Sequence, residues 1–532
     1  MAKIVLTADK SMMVSFPATL YAGFLSCLPT KSMPNFIYKR VLPPVQANED
    51  GTTDFPVMSL RGVEAICVNS GIKKENIKIS HPYFLNKTIN KDTKIVGVTA
   101  IDPLGIGPET TFWSSILSGE PHNRVKFDAQ MQEIHRLKQK YNFKVVLGGP
   151  GAWQLTDDNL MNSFGIDHVV LGEGENAIPD LFGGLISNEG FSTRVHSGRI
   201  PDIDEVHPIL GPTNSSIIEI ARGCGRGCRF CGPSVSGKLR SFPIEKILAD
   251  VNTYLKWKIE TLTLHSEDSL RYGSKNFLAD PEVLLDLYKQ IFSAGAKNVF
   301  LTHANLATFA YQPDVIQKLT KLLREHGMPG YGAQVGLETG SAKLAALHMR
   351  GKCLPLKAEE WPQVVKEGLK VAEDNRWISA CTVLMGLPDE DNEDVKQTMQ
   401  LIKEVDNRFA FYFPIFFVPI GSTPLNDQSK FIYENASQYH WRLILQCWKH
   451  NVKYVCTAFD YATDGRYPVL RVSLRFGVRA LYNVIKIVCN RMIERAIRQE
   501  KNSLETDDYN FFMNPKKTPP KKAIALSKST QG

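Results

Sequence analysis

Short runs of consecutive apolar residues alternate with longer amphipathic stretches from Lys3 onward. The runs KIVLTA (Lys3–Ala8), EAICVNSG (Glu64–Gly71), KIVGVTAID (Lys94–Asp102), FKVVLGGPGAW (Phe143–Trp153) and HVVLGEGE (His168–Glu175) read as strands. Between them, RVKFDAQMQEIHRLKQKY (Arg124–Tyr141) has the apolar spacing of a helix. Strands that are apolar at nearly every position are covered on both faces. The pattern therefore predicts a doubly wound, parallel five-stranded α/β sheet over residues 1–195. Such sheets hold ligands at the carboxyl ends of their strands. Those ends are AIDPLGIGP (Ala100–Pro108), GGPGAW (Gly148–Trp153) and GEGE (Gly172–Glu175), whose glycines let backbone approach a large flat or phosphate-bearing ligand.

A polar stretch from Ser192 to about Asn214 reads as a linker, after which the rhythm restarts. Strands are expected at SIIEIA (Ser216–Ala221), TLTLHS (Thr261–Ser266), NVFLTHA (Asn298–Ala304), GAQVGLE (Gly332–Glu338), SACTVLMGL (Ser379–Leu387) and FYFPIFFVPI (Phe411–Ile420). Helical stretches such as PIEKILADVNTYLKWK and PEVLLDLYKQIFSAG separate them. Six βα units predict a partial (β/α)6 barrel of TIM type over residues 196–427. Residues 428–510 read as a mainly helical domain, and 511–532 as a Lys/Pro-rich tail without fixed structure.

The composition, 43% hydrophobic and 22% charged, is that of an ordinary globular chain of several domains. No secretory leader is expected, because the apolar run after Lys3 stops at Asp9. The longest apolar run, Phe409–Gly421, is too short for a membrane span and holds two prolines, so it reads as a buried strand. The net charge of +8 includes the tail NPKKTPPKK (Asn514–Lys522), and is read as solvated faces plus that tail, not as a nucleic-acid surface. Seven of the ten cysteines are scattered and three cluster, which fits a reducing cytoplasm and one metal site.

The cluster is IEIARGCGRGCRFCGPS, with Cys224-x3-Cys228-x2-Cys231 at the carboxyl end of the second domain's first strand. Zinc and four-cysteine clusters are closed by four ligands, whereas three thiolates leave one metal position open for a substrate or cofactor. A zinc site with its fourth ligand elsewhere is the alternative. Arg222, Arg226 and Arg229 would offset thiolate charge, and Gly225 and Gly227 permit a tight wrap. GPSVSGK (Gly232–Lys238) mimics a phosphate loop, but Leu239 stands where Ser or Thr is needed. The acidic run Asp389–Asp394 reads as carboxylates at a helix N-terminus. His265 and His303 lie at strand ends, where they could touch substrate but read rather as satisfied core or rim histidines.

The cysteine motif resembles that of the radical SAM superfamily, in which three cysteines hold a 4Fe–4S cluster whose free iron chelates S-adenosylmethionine (SAM). Further segments carry the resemblance across Ile217–Leu425: TLHSEDSLRYG, VGLETGSAKLAALHMRGK, MGLPDEDNEDVKQTM and VPIGSTPL. Asp389 departs from the glycine usual in the third of these. The resemblance implies Phe230, Ser266, Glu267 and Glu338 as SAM contacts. The domain in front resembles the Rossmann-like cobalamin-binding domain of cobalamin-dependent radical SAM enzymes, through VVLGGPGAW and VVLGEGE. That resemblance implies Asp102, Leu104, Gly148, Gly149, Gly172, Glu173 and Gly174 near the corrin. TADKSMMVSF holds Asp9 but no cobalt-ligating histidine, and the loop of Asp102 and Leu104 reads equally as a cap on the sheet.

The combination implies a methyltransferase for unactivated sp3 carbon, using a 4Fe–4S cluster, SAM and cobalamin. DPLGIGPETTFWSSI and GGPGAWQL resemble the methyl-coenzyme M reductase glutamine C-methyltransferases. This implies a protein substrate, the reductase α subunit, modified to 2-methylglutamine in methanogenesis, and a reduced ferredoxin or flavodoxin as electron donor. Another peptide residue or a small natural product is the rival substrate. The methylthiotransferase alternative needs three cysteines in its first domain, and only Cys27 and Cys67 precede Cys224. A non-enzymatic cobalamin carrier or electron-transfer protein is the alternative from another class. No catalytic residue is assigned.

Overall fold

The computed structural model describes residues 2–15, 20–232, 237–328, 330–421, 423–463 and 468–513. Its first unit is a six-stranded parallel sheet of β1 (Ile4–Ala8), β2 (Ile77–Ile79), β3 (Ile95–Thr99), β4 (Lys144–Gly148), β5 (His168–Leu171) and β6 (Val195–Ser197), ordered β2-β1-β3-β4-β5-β6. Every residue of β1 and β3 is buried, as two-sided coverage requires. Alternate residues serve opposite layers. Val5, Val96 and Leu147 pack with Phe127 and Ile134 of the His122–Lys140 helix. Ile4, Leu6 and Val146 pack with Leu60 and Phe182 on the other side.

Two expectations are corrected. Glu64–Gly71 is not a strand but the end of a helix, Met58–Asn69. Its buried positions Leu60, Arg61, Glu64, Ala65 and Cys67 fall on one helical face, a spacing that outweighs the local β-branched content. β2 takes the place beside β1. The expected linker from Ser192 also contributes β6, which pairs with β5 and carries the sheet to Ser197, past the expected boundary.

The second unit has six parallel strand positions in sequence order: β7 (Ile217–Glu219), β10 (Thr261–His265), β11 and β12 (Asn298–Leu301 and His303–Ala304), β13 (Tyr331–Glu338), β14 (Trp377–Met385) and β15 (Ala410–Phe416). The third is broken at Thr302, whose amide donates to Leu264 O (3.0 Å) while its carbonyl accepts from Gln334 N (2.8 Å). The strands thus form an open, curved partial barrel with the expected six βα units. A short antiparallel pair, β8 (Ala221–Arg222) with β9 (Arg240–Ser241), pinches the base of the cysteine loop.

Two long helices, Gln438–Thr463 and Pro468–Met513, follow, with Trp441, Cys447, Ile485 and Cys489 in the barrel's own core. Residues 514–532 of the expected tail lie outside the described residues. Among those described, no helix is long and apolar enough to cross a membrane. The two α/β units share packing: the Pro108–Ile116 helix of the first buries Phe112 against Phe416 (5.5 Å between rings) and sets Trp113 against Trp448 (5.4 Å).

Candidate active site at the barrel mouth

The cysteine loop leaves β8 at the carboxyl end of the barrel, where such folds place their chemistry. It turns at Gly225 and Gly227 (φ +70° and +62°), and the Gly225 amide donates to Gly237 O (2.6 Å). Cys224 and Cys228 are buried and Cys231 is partly exposed. Cys231 N donates to Cys228 O at 3.1 Å, so the last two thiols sit on one turn. Their thiols are themselves hydrogen-bonded. This bond and the nearby Lys352 charge favour the Cys228 thiolate against the cost of burial, while the Cys231 proton is retained by the same bond. Burial pushes the Cys224 thiol up. No group of three or more His, Cys, Asp or Glu side chains converges on a single ion among the described residues.

Two of the three arginines expected to neutralise the thiols carry ion pairs of their own, although the Arg226 charge also favours the thiolates of Cys224 and Cys228. Arg226 is buried, with Nε donating to Asp268 Oδ2 (3.0 Å) and Nη1 to the carbonyls of Gly351, Lys352 and Leu354 (3.1, 3.1 and 3.0 Å). It ties the cysteine loop to the turn at 350–354. The contact is so close that a Cβ on Gly351 would lie 1.8 Å from Arg226 O. Arg222 ion-pairs with Glu219 (2.8 Å), Glu173 (2.7 Å) and Glu175 (2.7 Å). The Arg229 backbone N–H donates to His348 O, and its side chain is exposed.

A cation that acts on both Cys228 and Cys231 is one the sequence pattern did not flag, Lys352. Its Nζ donates to Glu338 Oε1 at 2.9 Å, and Thr382 Oγ1 donates to Glu338 Oε2 at 3.1 Å. Burial works against the Lys352 charge, but Glu338 and the thiols of Cys228 and Cys231 outweigh it and its pKa is raised. Glu338 ends β13 in a left-handed conformation (φ +62°) beside a register shift against β14. A buried non-glycine residue there stores backbone strain, a mark of functional positions. Gly336 makes room for the pair: a Cβ on it would come within 2.0 Å of Glu338 Oε1 and 2.1 Å of Lys352 Nζ. The signal available in the sequence was that paired glycine spacing around an acid, not the lysine itself.

The other expected SAM contacts line the same mouth. Ser266, buried at the end of β10, accepts from Asp268 N through its hydroxyl (3.2 Å). Glu267 is partly buried, and desolvation raises its carboxyl above the usual range, moderated by His265. Phe230 packs against the barrel core. His265 and His303 both meet Thr302 Oγ1 through Nδ1 (2.9 and 3.0 Å), with rings 5.7 Å apart. Burial, then Lys352, pushes His303 down to about 4, so it stands neutral.

The residues expected near a corrin lie at the carboxyl edge of the first sheet, in two groups. Asp102 accepts from Ile106 N, Gly107 N, Thr110 Oγ1, Asn123 Nδ2 and Gln154 Nε2 at 2.5 to 3.1 Å. Its oxygens are thus spent on holding its own loop, the capping role. Leu104 donates its amide to Gln154 Oε1 (2.8 Å) and rests on the sheet's core. Between them and Thr99, Ile101 is 58% exposed, an apolar side chain over the strand ends. Gly148 and Gly149 close β4, and Gly172, Glu173 and Gly174 follow β5. Glu173 is held by Arg222 and Arg240 across the unit boundary. Trp153 lies against Gly421 from the other side of that boundary. The sheet's ligand edge therefore abuts the barrel's mouth.

The sequence model of the radical SAM superfamily matches residues 218–402. The chain is 23% identical over 300 residues to a tRNA-2-methylthio-N(6)-dimethylallyladenosine synthase of Thermodesulfovibrio yellowstonii, a match covering 54% of this chain and 63% of that protein. It is 22% identical over 334 residues to an uncharacterized protein of Methanocaldococcus jannaschii, covering 52% and 62%. The chain thus spans less than two thirds of the length of these relatives. Among solved structures, the radical S-adenosylmethionine methyltransferase TsrM of Kitasatospora setae, bound to tryptophan and a SAM analog, has a TM-score of 0.52 at 13% identity, over 80% of this chain and 75% of that one. A second structure of TsrM, with cobalamin and a [4Fe-4S] cluster, gives a TM-score of 0.51 at 13% identity, over 80% and 74%. At this identity the likeness is one of fold. With three cysteines on the loop after its first strand and the family match around them, residues 218–402 are a radical SAM domain.

Proposed function

We propose that this chain is a cobalamin-dependent radical SAM methyltransferase acting on an unactivated sp3 carbon. One observation carries the reading. Arg222, two residues before Cys224, ion-pairs with Glu173 and Glu175, so the ligand edge of a doubly wound sheet abuts a three-cysteine loop. The TsrM-like fold of both units together supports it.

The donor set fits a four-iron cluster: three thiols on one turned loop, with a cation facing two of them. Cys224, Cys228 and Cys231 would hold it; Glu338, Ser266, Glu267 and Phe230 would hold SAM. The fit for a corrin rests on the apolar Ile101 shelf and on Gly148, whose absent Cβ has no neighbour nearer than 3.9 Å. Leu104, Gly148, Gly149, Gly172 and Gly174 would line it, with Asp102 and Glu173 holding the loops in place. When bound, these groups supply hydrogen abstraction from carbon and a methyl group to deliver. The chain's own part is geometric. Lys352 and Thr382 fix both oxygens of Glu338, and the Arg222 ion pairs and the Trp153–Gly421 contact join the two units beside the cysteine loop.

The finer proposal is that the substrate is a glutamine of the methyl-coenzyme M reductase α subunit, with reduced ferredoxin or flavodoxin as donor. Its support is the pair of segments around Asp102 and Trp153 and the order of the units. The matched synthases make methylthiotransfer the second reading, but Cys27 and Cys67 alone precede Cys224, one thiol short of a second cluster. Anaerobic incubation of reconstituted protein with SAM, a strong reductant and a reductase peptide tests both levels. Absence of both 5′-deoxyadenosine and S-adenosylhomocysteine ends the methyltransferase reading. A one-methylene mass gain on glutamine supports the substrate, and a gain on another residue refutes it. Cys228→Ala should lose cluster absorbance and deoxyadenosine formation together.

A further inference from the structure

Radical SAM sites bring several negative charges together: three thiolates and a buried carboxylate. Such a set held away from water is costly unless compensated. Among the three arginines of the cysteine loop, Arg222 pairs with Glu173, Glu175 and Glu219, and Arg226 pairs with Asp268 while its charge also reaches Cys224 and Cys228. Lys352 stands differently. Its side chain is 14% exposed, it ion-pairs with Glu338, and its charge acts on both Cys228 and Cys231. Two glycines are arranged around it. Gly336 leaves the volume that the Glu338–Lys352 pair fills, and Gly351 lets the turn carrying Lys352 press onto Arg226 O. Arg226 in turn accepts none of that turn's freedom, because its Nη1 binds three of the turn's carbonyls. The turn that carries Lys352 is therefore fixed to the cysteine loop, with the ammonium on Glu338 and its charge acting on Cys228 and Cys231.

We propose that Lys352 is a positioning residue of the cluster site: its charge stabilises the reduced cluster and so sets the potential at which the electron is accepted, while its hydrogen bond holds Glu338 in its strained conformation. The proposal rests on reading the three cysteines as cluster ligands. The electron comes from an external low-potential donor, and gaining it makes the cluster one unit more negative. A fixed cation in a site of low dielectric favours that state.

The test is an EPR-monitored redox titration with dithionite of the reconstituted full-length protein, without substrate, for wild type, K352M, K352R and E338Q. Iron and sulfide content is measured alongside. K352M is expected to lose at least tenfold in the reduction equilibrium, about 59 mV more negative for one electron. K352R should stay near wild type, and E338Q, which removes an anion and keeps the cation, should move positive. A loaded K352M at the wild-type potential overturns the proposal. So does an E338Q shift that is absent or negative, which decides the matter even if K352M takes up no cluster. A wild type that binds no four-iron cluster overturns the reading of the cysteines and this proposal with it.

Discussion

Replacing Arg226 with methionine should detach the cysteine loop from the rest of the barrel mouth. The side chains of Arg226 and Asp268 are 2% and 1% exposed, so the variant leaves a buried carboxylate with the looser contact to Arg271, at 3.7 Å, in place of its close partner. Removing one member of a buried pair costs about 3–5 kcal/mol, against roughly 1–3 kcal/mol for a buried group that loses a neutral hydrogen bond. The carbonyls of Gly351, Lys352 and Leu354 lose their shared donor as well. The two effects are not additive, since one side chain makes them all, and a total loss of about 4 kcal/mol is expected. Against a typical total of about 5–15 kcal/mol this is large, and it should fall first on the two segments that Arg226 joins. Urea unfolding of the cluster-free protein measures the loss, and amide exchange at Cys224–Cys231 and Arg350–Leu354 locates it. D268N in the R226M background should recover a substantial part, because the stranded charge is gone. A loss under about 1 kcal/mol, or a double variant no better than the single one, would refute the assignment of a buried, load-sharing arginine.

Three further outcomes are expected. Gly336→Ala drives a methyl group into the Glu338–Lys352 pair and should weaken SAM binding to the loaded protein at least tenfold by calorimetry, with the circular dichroism of the fold unchanged. Arg222→Gln takes the ion-pair partner from Glu175 and Glu219 and leaves Glu173 to Arg240 alone, and limited proteolysis should then cut faster between residues 198 and 214. His303 is held at about 4 by burial, against 6.5 for the free group, so below pH 6.5 the unfolded chain takes up a proton that the folded one refuses. Stability should fall as pH drops from 6.5 to about 4, by at most about 3 kcal/mol from this group, and His303→Gln should flatten that slope in urea titrations.

The cysteine loop, the six βα units and Glu338 were legible because local signals specify them: thiol spacing, apolar strands and a glycine-flanked acid. Glu64–Gly71 misled because Ile66, Cys67 and Val68 favour strands, whereas the face that packs on the sheet is set by tertiary contact. The β6 strand is three residues at a sheet edge, too short to show alternation. The roles of Arg222 and Lys352 were hidden for another reason. Glu173 lies 49 residues from Arg222, and Glu338 lies 14 from Lys352 across a helix and a turn. Pairings at such separations leave no periodic trace, so the charge beside the thiols was assigned to the nearest arginines, of which Arg226 contributes, and the lysine that folding delivers was missed.

The Pro108–Ile116 helix, which begins in the first unit and ends buried in the second, has a consequence for how such a protein could change over time. With Phe112 seated on Phe416 and Trp113 on Trp448, the front unit cannot be traded as an independent cassette. A replacement would have to bring its own wedge of aromatic side chains or leave a hole in the barrel's core. Recombination at the stretch between the units is therefore disfavoured, and divergence has to proceed by substitution within both halves together. The spacing between the sheet edge and the cysteine loop is inherited as a property of packing, not of linker length.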